Sequence, residues 1–463
     1  MKYISTRGTA PAVGFEEALM AGLAPDGGLY SPMSWPRLAP GAIAGFAGAP
    51  YESVAAQILH PFVGEAFGFE RLVEICHTAY ARFSHPAVTP LKQISASSWI
   101  LELFHGPSLA FKDIAMQLLA GLYDEILERR GGRLTIICAT SGDTGGAAVE
   151  AFRGREHMDV VVLYPEGRIS DVQRRFITSA PESNVRAFAV SGDFDACQTL
   201  VKQAFRDADF AREMNLTAVN SINIVRILAQ AVYYFAAASA LGSPGRKVAF
   251  AVPSGNFGDA FAGWTARAMG LPIVELLVCT NQNDILPRAF ATGVYERGAV
   301  QPTQSPAMDI QVASNFERLV FEALGRDGQA VSTAFEAFEG GAALNLSESA
   351  LNAIRDLGQA RAVSEEETSA AMTRAFDLGL GLVDPHTAVA LAASRALDVE
   401  GETPRIVLST AHPAKFPQAV FTATGRAPML PAQAEGLAAR PERFERLPID
   451  FEALKAALRD RPA

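Results

Sequence analysis

Short, predominantly apolar segments at 134–138, 159–164, 185–190, 247–252, 273–279 and 405–409 constrain this chain more than any other feature. Each is too brief for a buried helix, and stretches with helical periodicity separate them. Runs of this kind read as strands of a parallel sheet hidden on both faces by helices. The 463 residues are enough for two or three domains with a large core. Residues 1–92 lack the pattern; helix-like pieces at 15–21, 51–60 and 69–83 alternate with turn-rich stretches such as Pro25-Asp-Gly-Gly28. Ser364 and Glu367 form a candidate capping box ahead of a helical stretch at 370–378. From Arg426 onward the chain is rich in Pro, Arg and Glu and reads as a loosely packed extension.

The net charge of −10 argues against nucleic-acid and anionic-membrane partners. No apolar run is long enough for a membrane span, and the first eight residues lack the apolar core of a signal peptide. Cys76, Cys138, Cys197 and Cys279 are scattered, with no C-x-x-C spacing, which disfavours a zinc site or a disulfide framework. No metal site is expected, and the expected compartment is the cytoplasm.

Chemistry concentrates at the ends of three predicted strands. The first runs into Ala139-Thr-Ser-Gly-Asp-Thr-Gly-Gly146, the second into Pro253-Ser-Gly-Asn-Phe-Gly-Asp259, and the third into Thr410-Ala-His-Pro-Ala-Lys-Phe416. In open parallel sheets ligands bind beyond the carboxyl ends of the strands. A small-residue loop entering a helix offers backbone N–H groups to an anion, and glycines at 255 and 258 allow close approach. None of the loops is a P-loop or a complete dinucleotide fingerprint. Lys112, in His105-Gly-Pro-Ser-Leu-Ala-Phe-Lys-Asp113, follows an aromatic and opens an apolar helical stretch, and no other lysine reads as similarly placed. Burial can carry a lysine from about 10.4 toward neutrality, a change of roughly 4 kcal/mol, and so free its amine for covalent chemistry. A cofactor that brings its own phosphate and requires a lysine is pyridoxal phosphate.

These motifs, with Tyr3-Ile-Ser-Thr-Arg-Gly8, Asp26-Gly-Gly-Leu-Tyr30 and Asn220-Ser-Ile-Asn223 followed by Arg226, closely resemble the threonine synthase family in its longer bacterial and fungal form. The resemblance runs in order from residue 3 to about 420. It implies an α/β fold of two open, mostly parallel sheets flanked by helices, related to tryptophan synthase β, plus a mainly helical N-terminal domain. The division expected is 1–92, then a smaller α/β domain at 93–215 carrying Lys112, a larger cofactor domain at 216–425 and an extension at 426–463. The activity implied converts O-phospho-L-homoserine and water into L-threonine and phosphate, in a monomer or homodimer.

Carried over by motif, Lys112 is the covalent attachment point and general base, next to Phe111. Gly255, Asn256, Phe257, Gly258 and Asp259 cradle the cofactor phosphate through their N–H groups. Thr410 faces the pyridine nitrogen, where a hydroxyl makes a weaker electron sink than a carboxylate. Asp143 lies near the ring's phenolic oxygen; a carboxylate there is repulsive, so it is expected to be protonated or turned toward backbone donors. Ser141, Thr144, Asn223 and Arg226 are the candidate ligands of the substrate phosphate, Arg226 through its planar fork. His412 reads as a packed histidine, and Glu365–Glu367 as a solvated helix start. The rival readings are a lyase that eliminates phosphate and releases a 2-oxo acid, a non-catalytic binder of phosphorylated ligands, and a dehydrogenase; the last lacks its glycine fingerprint. No feature calls for activation by S-adenosylmethionine.

Overall fold

The computed structural model describes every residue except 398, 400 and 461–463. All six predicted strands are present, divided between two sheets. The larger has the order Gly358–Ala362, Ile273–Thr280, Val248–Pro253, Arg405–Ser409, Ser98–Glu102, Leu91–Ser95, and is parallel except for the antiparallel last pair. The smaller is wholly parallel, in the order Glu445–Leu447, Val185–Val190, Met158–Pro165, Leu134–Ala139, Leu216–Thr217. The central strand Val248–Pro253 is buried at every position, as its unbroken apolar run requires.

Two long helices carry the chain between the sheets. Lys112–Arg130 leads from the larger to the smaller, and Ile224–Ala240 leads back. The second is buried on nearly all sides, from Ile224 to Ser239, because it lies inside the molecule. Each of its leucines and aromatics contributes about 1.5–3 kcal/mol by leaving water. No helix among the described residues is long and apolar enough to cross a membrane.

The N-terminal region is mainly helical, with Phe15–Ala21, Tyr51–Val63 and Phe69–Tyr80, and a small ribbon pairs Tyr3–Ser5 with Tyr30–Pro32. It shares one core with the larger sheet: Trp35 packs edge-on against Phe261 and Trp264, and Thr6 and Arg7 bond the buried Glu317. The Ser364–Glu367 capping box forms as expected.

Two expectations need correction. The hairpin at 91–102 pairs into the larger sheet, although 93–215 was assigned to the smaller domain. The tail is not a loose extension either. Glu445–Leu447 adds an edge strand beside Val185–Val190, and Phe451–Arg459 packs Leu454 and Leu458 with Phe188, Leu200 and Phe210. A three-residue strand written Glu-Arg-Leu is too short and too charged for alternation to reveal it; charges at such a position suit a sheet edge.

Candidate active site

The strands ending at Ala139, Pro253 and Ser409 deliver their loops to one cavity of about 220 Å³. Both sheet-crossing helices begin there, one with Lys112 and the other placing Arg226 in its first turn. The cavity is lined by Phe111, Lys112, Asp143, Thr144, Arg226, Thr410 and the whole run from Gly255 to Asp259. Sequence reasoning therefore brought together residues as far apart in the chain as 111 and 410.

The three loops do different work. In the first, the Thr140 hydroxyl already accepts the N–H groups of Gly142 and Gly145, each at 2.9 Å, so two of this loop's donors are taken up within it, while among the described residues those of Ser141, Asp143 and Thr144 meet no protein acceptor. Its glycines serve packing: a Cβ at Gly142 would lie 2.4 Å from Gln173, and one at Gly145 would lie 2.6 Å from Thr140. The second loop is open. Among the described residues no protein acceptor meets the N–H groups of Gly255, Asn256, Phe257 or Gly258, and they precede the helix Gly258–Ala268. Phe257 holds a left-handed φ of 61° that turns this row inward. Such a concave row of donors at a helix start suits a phosphate. Gly255 is needed for a different reason than expected, since its Cβ would meet the Ala307 carbonyl at 2.5 Å.

Asp259 contributes its backbone, while its carboxylate accepts the hydroxyls of Tyr233 and Tyr234. Burial pushes that carboxyl up to about 6, with the tyrosines opposing. In the third loop the Thr410 hydroxyl faces the cavity, and its carbonyl accepts the N–H of Phe111 at 2.8 Å. His412 is a packed residue: its ring accepts the N–H of Ala414 at 3.2 Å and meets Phe104 edge-on. Burial, then His105, lowers it to about 4.

Asp143 departs from expectation. Its Oδ1 lies 2.9 Å from Lys415 Nζ and accepts Gln173 Nε2 at 3.0 Å, and its Oδ2 lies 3.6 Å from Lys112 Nζ. Burial alone would raise its pKa, but Lys415 and then Lys112 hold it well below the usual carboxylate range. It is therefore ionised and turned toward lysines, neither protonated nor facing backbone donors. Lys112 is lowered first by burial; Asp143 opposes this, and Lys415 and Arg226 reinforce it.

Arg226 donates from Nη1 to the Val219 carbonyl at 3.1 Å, but its buried Nε has no partner. Burial lowers it to about 10, a value at which it keeps its charge at neutral pH. Two of the proposed phosphate ligands sit elsewhere. Asn223 caps the helix of Arg226, accepting the N–H of Val225 and donating to the Leu19 carbonyl, so both ends of its amide are occupied. Ser141 lies outside the cavity lining, beside Thr144, which is in it.

Sequence reasoning missed Lys415, whose side chain is fully buried, and His386. His386 lines the cavity; its Nδ1 donates to Asp384 at 2.8 Å and its Nε2 accepts the N–H of Ala307 at 3.3 Å, a pattern that belongs to the neutral ring. The signal for Lys415 was present in its neighbours Pro413, Ala414 and Phe416, the same apolar setting that marks Lys112.

Family models match in sequence along the chain: threonine synthase N terminus at residues 2–80, pyridoxal-phosphate dependent enzyme at 83–344, and threonine synthase C-terminal at 387–458. Threonine synthase of Pseudomonas aeruginosa is 46% identical over 98% of this chain and 97% of its own length. The chain belongs to the threonine synthase family. Another member, threonine synthase of Saccharomyces cerevisiae, is 40% identical over 91% of this chain and 88% of its own. Among solved structures, pyridoxal phosphate-bound threonine synthase from Brucella melitensis is 48% identical, with a TM-score of 0.97 over 100% of this chain and 99% of that one. Threonine synthase from yeast follows at 36% and a TM-score of 0.93, over 99% and 98%. The fold is thus the pyridoxal-phosphate enzyme fold shared by threonine synthases, and the cofactor of this family is pyridoxal phosphate. The residues present fit that group. An open row of N–H donors, a lysine of lowered pKa and an unpartnered hydroxyl at Thr410 line one cavity.

Proposed function

We propose that this protein is a threonine synthase, converting O-phospho-L-homoserine and water into L-threonine and phosphate. The observation that carries the reading is that one cavity is lined by Lys112 and by two separate anion-binding groups. The N–H row at Gly255–Gly258 suits the phosphate of the cofactor, and the buried Arg226 with its unpartnered Nε suits the phosphate that leaves.

Pyridoxal phosphate, when bound, supplies the electron sink that makes the hydrogens on the substrate's α- and then β-carbon acidic. Lys112 is the covalent attachment point, and its amine takes and returns the protons at those carbons. A base must be neutral to do so, and burial with Lys415 and Arg226 nearby favours that state. Arg226 and Thr144 hold the leaving phosphate, and Asn223 supports them by fixing the helix start that carries Arg226. Ser141, outside the cavity lining, has no part in this set. Phe111 and Thr410 line the cavity that would hold the cofactor, where Thr410 would offer its hydroxyl to the pyridine nitrogen.

The protein is read as acting in the cytoplasm on a small molecule, as a monomer or homodimer and without nucleic acid. The chain is read as dividing into the expected units with two amendments: the hairpin at 91–102 joins the larger one, and the tail joins the smaller.

The test is product analysis with purified protein, pyridoxal phosphate and O-phospho-L-homoserine. Threonine and phosphate in equal amounts, both abolished by Lys112→Ala, are expected. Phosphate accompanied by a 2-oxo acid, with no threonine, would replace this reading with the eliminating lyase.

A further inference from the structure

A second lysine faces Asp143 from the opposite side of the site. Lys415 enters from the loop after Arg405–Ser409 with no exposed surface; its Nζ lies 2.9 Å from Asp143 Oδ1 and donates to the Ser108 carbonyl at 2.7 Å. Its third donor direction faces the Phe176 ring, 5.4 Å from the centroid. The anchoring is redundant. Ser170 Oγ donates to the Lys415 carbonyl, and Ser108 is itself fixed by two bonds to Asp113, the neighbour of Lys112. Lys112, by contrast, stands 3.6 Å from the other carboxylate oxygen, at the cavity wall.

Charge explains the arrangement. A buried carboxylate facing Lys112 alone would form an ion pair with it. Discharging Lys112 would then strand a buried anion, a state that costs several kcal/mol. With Lys415 present the carboxylate keeps a counter-ion whatever Lys112 does, and the trio is neutral when Lys112 is neutral. We propose that Lys415 is a positioning residue, the permanent counter-ion of Asp143, which allows Lys112 to lose its proton inside the protein. The other ionisable groups facing the trio are Arg226, Asp259 and His386, from three different helices, with the buried Asp113 beside Lys112 and His412 in the loop before Lys415. Arg226 alone does not serve, because it makes no bond to Asp143.

The proposal rests on the reading that Lys112 takes up pyridoxal phosphate, a step in which its neutral amine forms a C=N bond with the aldehyde carbon and water leaves. The rate of uptake by cofactor-free protein, followed in the visible absorbance as a function of pH, therefore reports the proton on Lys112. We compare the parent protein with Lys415→Met, Asp143→Asn and the double variant. Lys415→Met should move the midpoint upward by about one unit or more, slowing uptake about tenfold at a given pH below it. Asp143→Asn should move it downward, and the double variant should return close to the parent. An unchanged midpoint in folded Lys415→Met overturns the proposal. If Lys415→Met does not fold, the comparison of the double variant with Asp143→Asn decides: a higher midpoint supports the proposal and an equal one overturns it. Absence of uptake by the parent protein would remove the cofactor reading itself, and this proposal with it.

Discussion

Arg226 shows at the scale of one residue how a buried charge declares a ligand. Its guanidinium has one backbone partner, no carboxylate and an unpartnered Nε, so the folded protein leaves its charge uncompensated. Truncating one partner of a buried, hydrogen-bonded charge pair costs about 2–5 kcal/mol. Arg226→Gln should accordingly weaken the binding of inorganic phosphate to the cofactor-loaded protein by about two orders of magnitude, as measured by calorimetry, while the cofactor's visible band persists. Unchanged phosphate affinity would show that Arg226 serves another purpose. Lys112 was legible because it follows an aromatic and opens a long helical stretch, whereas Arg226 was reached through its motif's resemblance to the family, since its place two residues after Ile224 suits a surface helix charge equally well. Asn223 looked like a ligand and is a helix cap; the amide can do either, and only its partners Leu19 and Val225 decide. The state of Asp143 could not be read at all without Lys415, which lies 272 residues away in the chain and follows a strand of the other sheet, so that the two meet only where the loops of both sheets converge.

At the scale of the element, the second loop carries two glycines with different duties. Gly255 is required by the protein, since an added Cβ would stand 2.5 Å from the Ala307 carbonyl; at Gly258 the nearest contact is the Asn315 amide at 3.3 Å. Overpacking of the first kind costs about 1–3 kcal/mol. Gly255→Ala should lower the melting temperature of the cofactor-free protein, whereas Gly258→Ala should leave it nearly unchanged and weaken pyridoxal phosphate binding. A Gly255→Ala protein as stable as its parent would refute the steric account. The strands and long helices were legible because each repeats one period over many residues. Both glycine-rich loops offer N–H groups to an anion, and they differ through one hydroxyl: Thr140 takes up the N–H groups of Gly142 and Gly145 in the first, while among the described residues no protein acceptor meets those of Gly255 to Gly258 in the second. Glu445–Leu447 escaped because three residues hold less than two full alternations.

Across the whole molecule, the two sheets are joined by helices that both start at the cavity, so the site is assembled from the connections themselves. The loop holding Thr410 and Lys415 follows a strand of the larger sheet, and Asp143 follows a strand of the smaller. The Lys415–Asp143 pair therefore ties the two halves across the site. That places two lysines, Lys415 fully buried and Lys112 partly so at the cavity wall, against one carboxylate, and the account stands on which of them takes the cofactor. Lys112 lines the cavity that holds the open N–H row, whereas Lys415 is committed to Asp143 and Ser108. The most direct measurement is borohydride reduction of the protein loaded with pyridoxal phosphate, followed by mass spectrometry of its peptides. The account predicts a single phosphopyridoxyl group on the peptide containing Lys112 and none on the peptide containing Lys415. Attachment at Lys415, or at neither lysine, would contradict it.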